Sequence, residues 1–162
     1  MKTRFLLLVG LSVILGACGA EDEVLSPIWG IDYSTENASG FATGSVEQFK
    51  GETKTTYIIK SANLRSVGGD VYTIYYTFES GDAMEIRIAK RAFDYNYSFP
   101  GKSSENQLLS ATLNGEILSL TQESQVSVQP RTDENKLATI AKLQTSNMGL
   151  FDGSIGRVPL IK

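Results

Sequence analysis

The chain has 162 residues, with 15 basic and 18 acidic side chains, a net charge of −3, one cysteine and no histidine. Without imidazole, His-based catalytic triads are impossible, and zinc, copper and haem sites lose their usual ligands. A single cysteine excludes an internal disulfide, the charge balance offers no basic stripe to nucleic acid, and the length fits one domain with a sizeable core.

Lys2 and Arg4 precede an apolar run from Phe5 to Leu15, which ends in small residues. This order is that of a secretory signal. The plainer alternatives are a membrane-spanning helix and a signal peptide with an incidental cysteine. The run falls short of the roughly 20 residues a spanning helix needs, and Gly10 and Ser12 interrupt it. Leu15-Gly16-Ala17-Cys18 resembles the lipobox of bacterial lipoproteins. The resemblance implies removal of residues 1–17, acylation of Cys18 and a lipid anchor, so that the membrane is one partner. Several acyl chains hold a protein far more firmly than one, which binds only marginally. Loss of Lys2 and Arg4 leaves the mature chain more acidic.

Residues 18–27 form the expected tether. Glu21, Asp22 and Glu23 read as a solvated linker. They also resemble the acidic sorting signal that follows the acylated Cys in lipoproteins of Bacteroidota-type bacteria and directs export to the outer face. Gly19, rather than Asp, follows the cysteine, which in the enteric pattern implies the outer membrane. Whether the protein would face the periplasm or the cell surface stays open.

Residues 28–162 read as a single all-β domain. Ile28–Tyr33 is predicted as a short strand, with Trp29 as a core anchor at the domain entrance. Phe41–Phe49 is a weaker strand, in which Gly44 suggests a bulge or a close neighbour. Lys54–Val67 is β-rich and Gly68-Gly69 turns the chain. Val71–Phe78 and Asp82–Ala89 form a hairpin. A three-residue loop over Glu79-Ser80-Gly81 pairs Tyr76 with Met84, Ile74 with Ile86 and Tyr72 with Ile88, which keeps both apolar faces together.

Asn114-Gly115 predicts a second hairpin with a two-residue type I′ turn. It pairs Leu113 with Glu116 and places Leu109, Ala111, Leu113, Leu118 and Leu120 on one face. Val126–Val128 begins a strand closed by Pro130. Lys136–Thr145 fits either a helix or a strand; strand neighbours on both sides favour the strand. Asn147–Gly153 is expected to turn twice, and Ser154–Ile161 to end the chain as an edge strand because of Pro159. The result is an antiparallel sandwich or flattened barrel of about nine or ten strands.

Tyr76-Thr77-Phe78-Glu79-Ser80-Gly81, Asp133-Glu134-Asn135-Lys136 and the ending Gly153–Leu160, taken with the lipobox, resemble small all-β lipoproteins of Bacteroidota-type bacteria that have no assigned activity. The family ending more often has an aromatic where Ile155 stands. The resemblance implies location and fold class, and no functional residues.

Candidate chemistry is sparse. There is no Gly-x-Gly phosphate loop, no Gly-x-Ser-x-Gly elbow, no Ser-x-x-Lys and no calcium loop. Glu79, Asp82 and Glu85 read as solvated hairpin charges rather than a glycosidase pair. A calcium site of loop carboxylates with Asp152 is the remaining metal possibility; the expectation is no cofactor and no metal.

Phe93, Tyr95, Tyr97 and Phe99 stand at period two with polar residues between. Such a row is core, or else a platform for a sugar ring or an apolar ligand, and Tyr75 joins it if the two lie close. The expectation is a membrane-anchored, non-catalytic binding or accessory domain of a bacterial envelope that meets glycan, peptide or another envelope protein. A lipocalin-like carrier with an apolar cavity of roughly 300 Å³ or more and a purely structural envelope component are the alternatives.

Overall fold

The computed structural model describes residues 29–31, 41–132 and 134–161. Cys18 and the Glu21-Asp22-Glu23 cluster lie outside the described residues, as does Asp133.

The strands are β1 (Thr43–Lys50), β2 (Thr53–Gly68), β3 (Val71–Phe78), β4 (Ala83–Ala89), β5 (Asn96–Ser98), β6 (Gln107–Leu113), β7 (Glu116–Ile117), β8 (Gln125–Arg131), β9 (Lys136–Thr145), β10 (Gly149–Val158) and β11 (Leu160–Ile161). They run β1-β10-β9-β8-β5-β6-β4-β3-β2, and β2 pairs back onto β1. This closes a barrel of nine strands, whose thinnest seam is at the three-residue β5, joined to β6 by the single pair Ser98–Gln107. Two short strands lie off the ring: β7 extends the β6 hairpin, and β11 covers the part of β2 that β1 does not reach. The sandwich alternative is thereby set aside. The sheet is also mixed rather than wholly antiparallel. β5 pairs parallel to β6 because residues 99–106 carry the chain back before β6 begins, and β11 pairs parallel to β2.

The central hairpin has the predicted register, with Tyr76 opposite Met84, Ile74 opposite Ile86 and Tyr72 opposite Ile88. All six side chains are buried. Gly81 takes the positive φ that the loop requires. Asn114 and Gly115 both have positive φ and Leu113 faces Glu116, as a type I′ turn demands. The ambiguous segment 136–145 is strand β9, with Leu137, Thr139, Ala141, Leu143 and Thr145 pointing inward. Gly44 has the close neighbour that its place in a strand suggested: a Cβ there would meet the Ser154 carbonyl oxygen at 2.1 Å.

Four expectations need correction. Trp29–Ile31 is not a strand; it forms a turn in which Gly30 has positive φ, so that Trp29 and Ile31 both enter the core. Leu109 does not join its predicted face. Ile88 pairs with Leu108 and Arg87 with Ser110, which leaves Leu109 as the extra residue of a bulge, and Leu108 takes the inward place. Residues 149–153 do not turn but belong to β10, where Gly153 packs against the backbone of Ser45 and Val46. The last long strand is not an edge either, since β10 sits between β1 and β9. Pro159 falls at the break between β10 and β11, where its missing donor costs nothing.

The barrel interior is filled with side chains. Tyr76, Phe78, Tyr97, Phe151, Met84, Leu64 and Ile74 are all essentially inaccessible. Across the middle, the Tyr76 hydroxyl and Thr139 Oγ1 share a 2.5 Å hydrogen bond between β3 and β9.

Candidate functional site

Strand directions place the β2–β3 turn, the β4–β5 connection, the β8–β9 turn, the end of β10 and the start of β1 at one rim of the barrel. Trp29 packs at this end, edge-on to Tyr72 at the start of β3 with ring centroids 4.7 Å apart. We call it the entry rim, because Trp29, the first described residue, packs here.

The β4–β5 connection is built around Lys90. Its backbone N–H donates to Asp70 O at 2.8 Å, which extends β4 to the β2–β3 turn. Its side chain then turns inward and is only 4% exposed. The ammonium stands 5.8 Å from the Trp29 ring centre, 5.1 Å from Tyr95 and 5.7 Å from Tyr97. It donates to the Asp94 carbonyl. No carboxylate forms an ion pair with it among the described residues. Burial lowers the Lys90 pKa from its ordinary 10.5, while the nearby Asp94 charge acts in the opposite direction. Cation–π contacts of this kind are worth about 2 kcal/mol each when desolvated, against a burial penalty of several kcal/mol.

Asn106 holds the rest of the connection. Its Oδ1 accepts from the backbone N–H groups of Arg91 and Ala92 at 2.7 and 2.9 Å, and its Nδ2 donates to Asp94 O at 2.6 Å. Asp94 Oδ1 accepts from the N–H groups of Tyr95 and Asn96, closing an Asx-type turn. Two donors beside the buried cation lack acceptors: among the described residues, neither Trp29 Nε1 nor the Tyr97 hydroxyl has a hydrogen-bond partner. Burial first, then Tyr72 and Asp94, push the Tyr97 pKa far above its ordinary value.

A cavity of about 220 Å³ opens beside Lys90, lined by Asp70, Lys90, Arg91, Ala92 and Phe93. A second groove of about 320 Å³ at the same rim holds Thr43, Arg131, Glu134 and Arg157. Arg157 pairs with Glu134 at 3.6 Å and sits at positive φ in the β10 bulge. Burial, then the Arg157 charge, lowers the Lys136 pKa.

The predicted aromatic row is not one surface. Phe93 is 90% exposed and Tyr95 39% exposed, whereas Tyr97 is part of the core and Phe99 packs half-buried against it. The chain is extended only over Asn96–Ser98, so the period of two does not persist. Tyr75 is not brought to the row. It lies on the outer wall opposite Asn63 and Glu85, with the Arg65 guanidinium 5.8 Å over its ring. Strands β4 and β6 separate it from β5, a sheet distance of about 14 Å. Lys90 was missed because a lysine after a strand reads as surface; its one sequence signal is its place between an apolar strand and an aromatic-rich segment. No group of three or more His, Cys, Asp or Glu stands together as a metal site among the described residues.

Comparison of the chain with protein families, with curated proteins and with solved structures finds no match. The nine-stranded barrel and the features of its entry rim are therefore what a functional reading has to work from.

Proposed function

We propose that the chain is a lipid-anchored, non-catalytic domain of a bacterial cell envelope, held in the outer membrane through Cys18, that works by surface contact through its entry rim. The observation that carries this reading is the contrast between a filled interior and a structured rim. A carrier needs an apolar cavity of roughly 300 Å³ or more; here Tyr76, Phe78, Tyr97 and Phe151 occupy the barrel centre. A contact domain needs exposed aromatic and charged groups on a rigid base, and Phe93, Tyr95 and Arg91 stand on a connection fixed by Lys90 and Asn106.

The non-catalytic part rests on composition: there is no histidine, and the only thiol is assigned to the lipid. The lipobox at Leu15–Cys18 supports the anchor, and Gly19 supports the outer membrane.

Mass spectrometry of the protein purified from membranes tests the anchor. The expected product begins at a thioether-modified Cys18; an unmodified or uncleaved N-terminus would retire it. Contact through the rim is tested by cross-linking in intact envelopes. A photo-reactive residue at Phe93 should give adducts that one at Glu123 does not.

A further inference from the structure

The two ends of the barrel differ in a way that assigns a partner to the entry rim. This step rests on the contact reading above. The entry rim carries the two most exposed large apolar side chains among the described residues, Phe93 at 90% and Phe41 at 86%. Half-exposed Val67, beside the β2–β3 turn, and Tyr95 accompany them. Arg91, Arg131 and Arg157 stand exposed at the same rim, with Asp70, Asp94 and Glu134 as the acids described there. The opposite rim bears Glu52, Glu79, Asp82, Glu116 and Glu123 against Lys50 and Lys54, with Ile117 as its one strongly exposed large apolar side chain among the described residues. The three arginines balance the three acids at the entry rim, so an anionic surface would repel the second rim and tolerate the first.

The covalent path has the same polarity. Trp29 packs at the entry rim, and the eleven steps from Cys18 to Trp29 span at most about 40 Å even fully extended. Trp29, the first described residue, lies on the side that carries Phe41, Phe93 and the arginines, so a tether from Cys18 has its domain end there. Exposed aromatic rings flanked by arginine suit the boundary between acyl chains and headgroups, where rings insert and guanidinium groups meet phosphate.

We propose that the entry rim docks on the anionic lipid surface itself, with Phe41 and Phe93 inserted at the headgroup level and Arg91, Arg131 and Arg157 on lipid phosphates. The opposite, acidic rim then faces away from the membrane. The barrel stands in a fixed orientation rather than swinging on its tether.

The test uses the acylated protein in vesicles of phosphatidylethanolamine and phosphatidylglycerol with brominated acyl chains. Once Cys18 is acylated, an introduced cysteine is the single free thiol. Ala92→Cys, next to Phe93, and Glu123→Cys, at the opposite rim, each receive an environment-sensitive fluorophore. Docking predicts bromine quenching at 92 about threefold or more above that at 123, because bromine quenches on close approach and only the docked rim reaches the boundary between headgroups and acyl chains. Adding Phe41→Ser and Phe93→Ser should remove the difference; Arg91→Glu alone should weaken it in anionic vesicles and leave it unchanged in phosphatidylcholine vesicles. Circular dichroism of each variant separates lost docking from lost folding.

Equal quenching at both rims, or stronger quenching at 123, overturns the proposal. A rim left free in this way would be open to a glycan or a protein instead. Flotation and intact mass report the anchor separately. A protein that floats with vesicles yet shows no quenching difference keeps the anchor and loses the docking; a Cys18→Ser protein labelled at 92 that is still quenched there docks without the anchor.

Discussion

The two rims of the barrel are built on opposite principles. At the opposite rim, polar groups mostly answer one another, Thr121 Oγ1 being the exception among the described residues. Asp82 accepts from Ser80 Oγ at 2.6 Å and Asn114 Nδ2 at 2.7 Å, while Asn114 Oδ1 accepts from the Ala83 N–H, so two hairpin turns clamp each other. Those bonds lower the Asp82 pKa, Ser80 contributing most. Gln48 donates to Met148 O and accepts from the Tyr57 hydroxyl, tying β1, β2 and the β9–β10 turn. The entry rim instead holds a buried cation, two donors without acceptors among the described residues, and two bare phenylalanines. Folding accounts for the first arrangement and not for the second. Buried polar groups left unanswered cost stability, and such costs collect where a protein makes contact with something else.

This contrast can be broken in several places. The largest effect should come from Trp29→Ala, which removes the ring that closes the entry end against Tyr72 and Lys90. Urea unfolding should show a loss of about 3–5 kcal/mol; a loss below about 1 kcal/mol would mean that the N-terminal turn is no part of the core. Asn114→Ala at the opposite rim should cost about 2 kcal/mol, since it forces alanine to positive φ and strips two side-chain hydrogen bonds from the two turns.

Lys90→Met should cost much less, within about 1 kcal/mol of the parent in either direction, because an apolar chain of similar length removes a desolvated charge. Its clearer mark is on pH dependence. The folded-state pKa of Lys90 lies below 10.5, so the unfolded chain binds more protons between the two values, and stability rises with pH across that window. Lys90→Met should flatten the rise. An unchanged slope would show that Lys90 is not buried in solution.

Smallest is the paired test of the two core tyrosines, whose pKa values burial raises above the ordinary 10.0. The folded state keeps these protons where the unfolded state loses them, so stability falls as pH rises above 10. Tyr97→Phe removes a hydroxyl without a partner among the described residues and should be neutral or stabilising by up to about 1 kcal/mol. Tyr76→Phe breaks the bond to Thr139 and should cost about 1 kcal/mol. Reversed signs in thermal melts would contradict the distinction between answered and unanswered groups.

Strand order and closure were less legible in the sequence than the strands themselves. Local patterns carried the two hairpins, since Asn114-Gly115 and Gly81 dictate turns and the apolar faces then set register. Barrel closure depends on β1 meeting both β2 and β10, a contact between sequence-distant strands whose only local hint was Gly44. Pro159 misled because a proline between two strands looks, in sequence, like a proline in an edge strand. Leu108 and Leu109 were indistinguishable until a bulge chose between them. The rim site was half legible: the aromatic run drew attention to residues 93–99, but Lys90, Asn106 and Trp29, which organise it, come from three separated stretches.

The most direct measurement is hydrogen–deuterium exchange on the acylated protein in anionic vesicles, compared with the same protein in neutral detergent. The account predicts new protection at residues 41–42 and 90–95, and none at 79–82 or 114–116. Protection spread evenly over both rims, or confined to the acidic one, would contradict it.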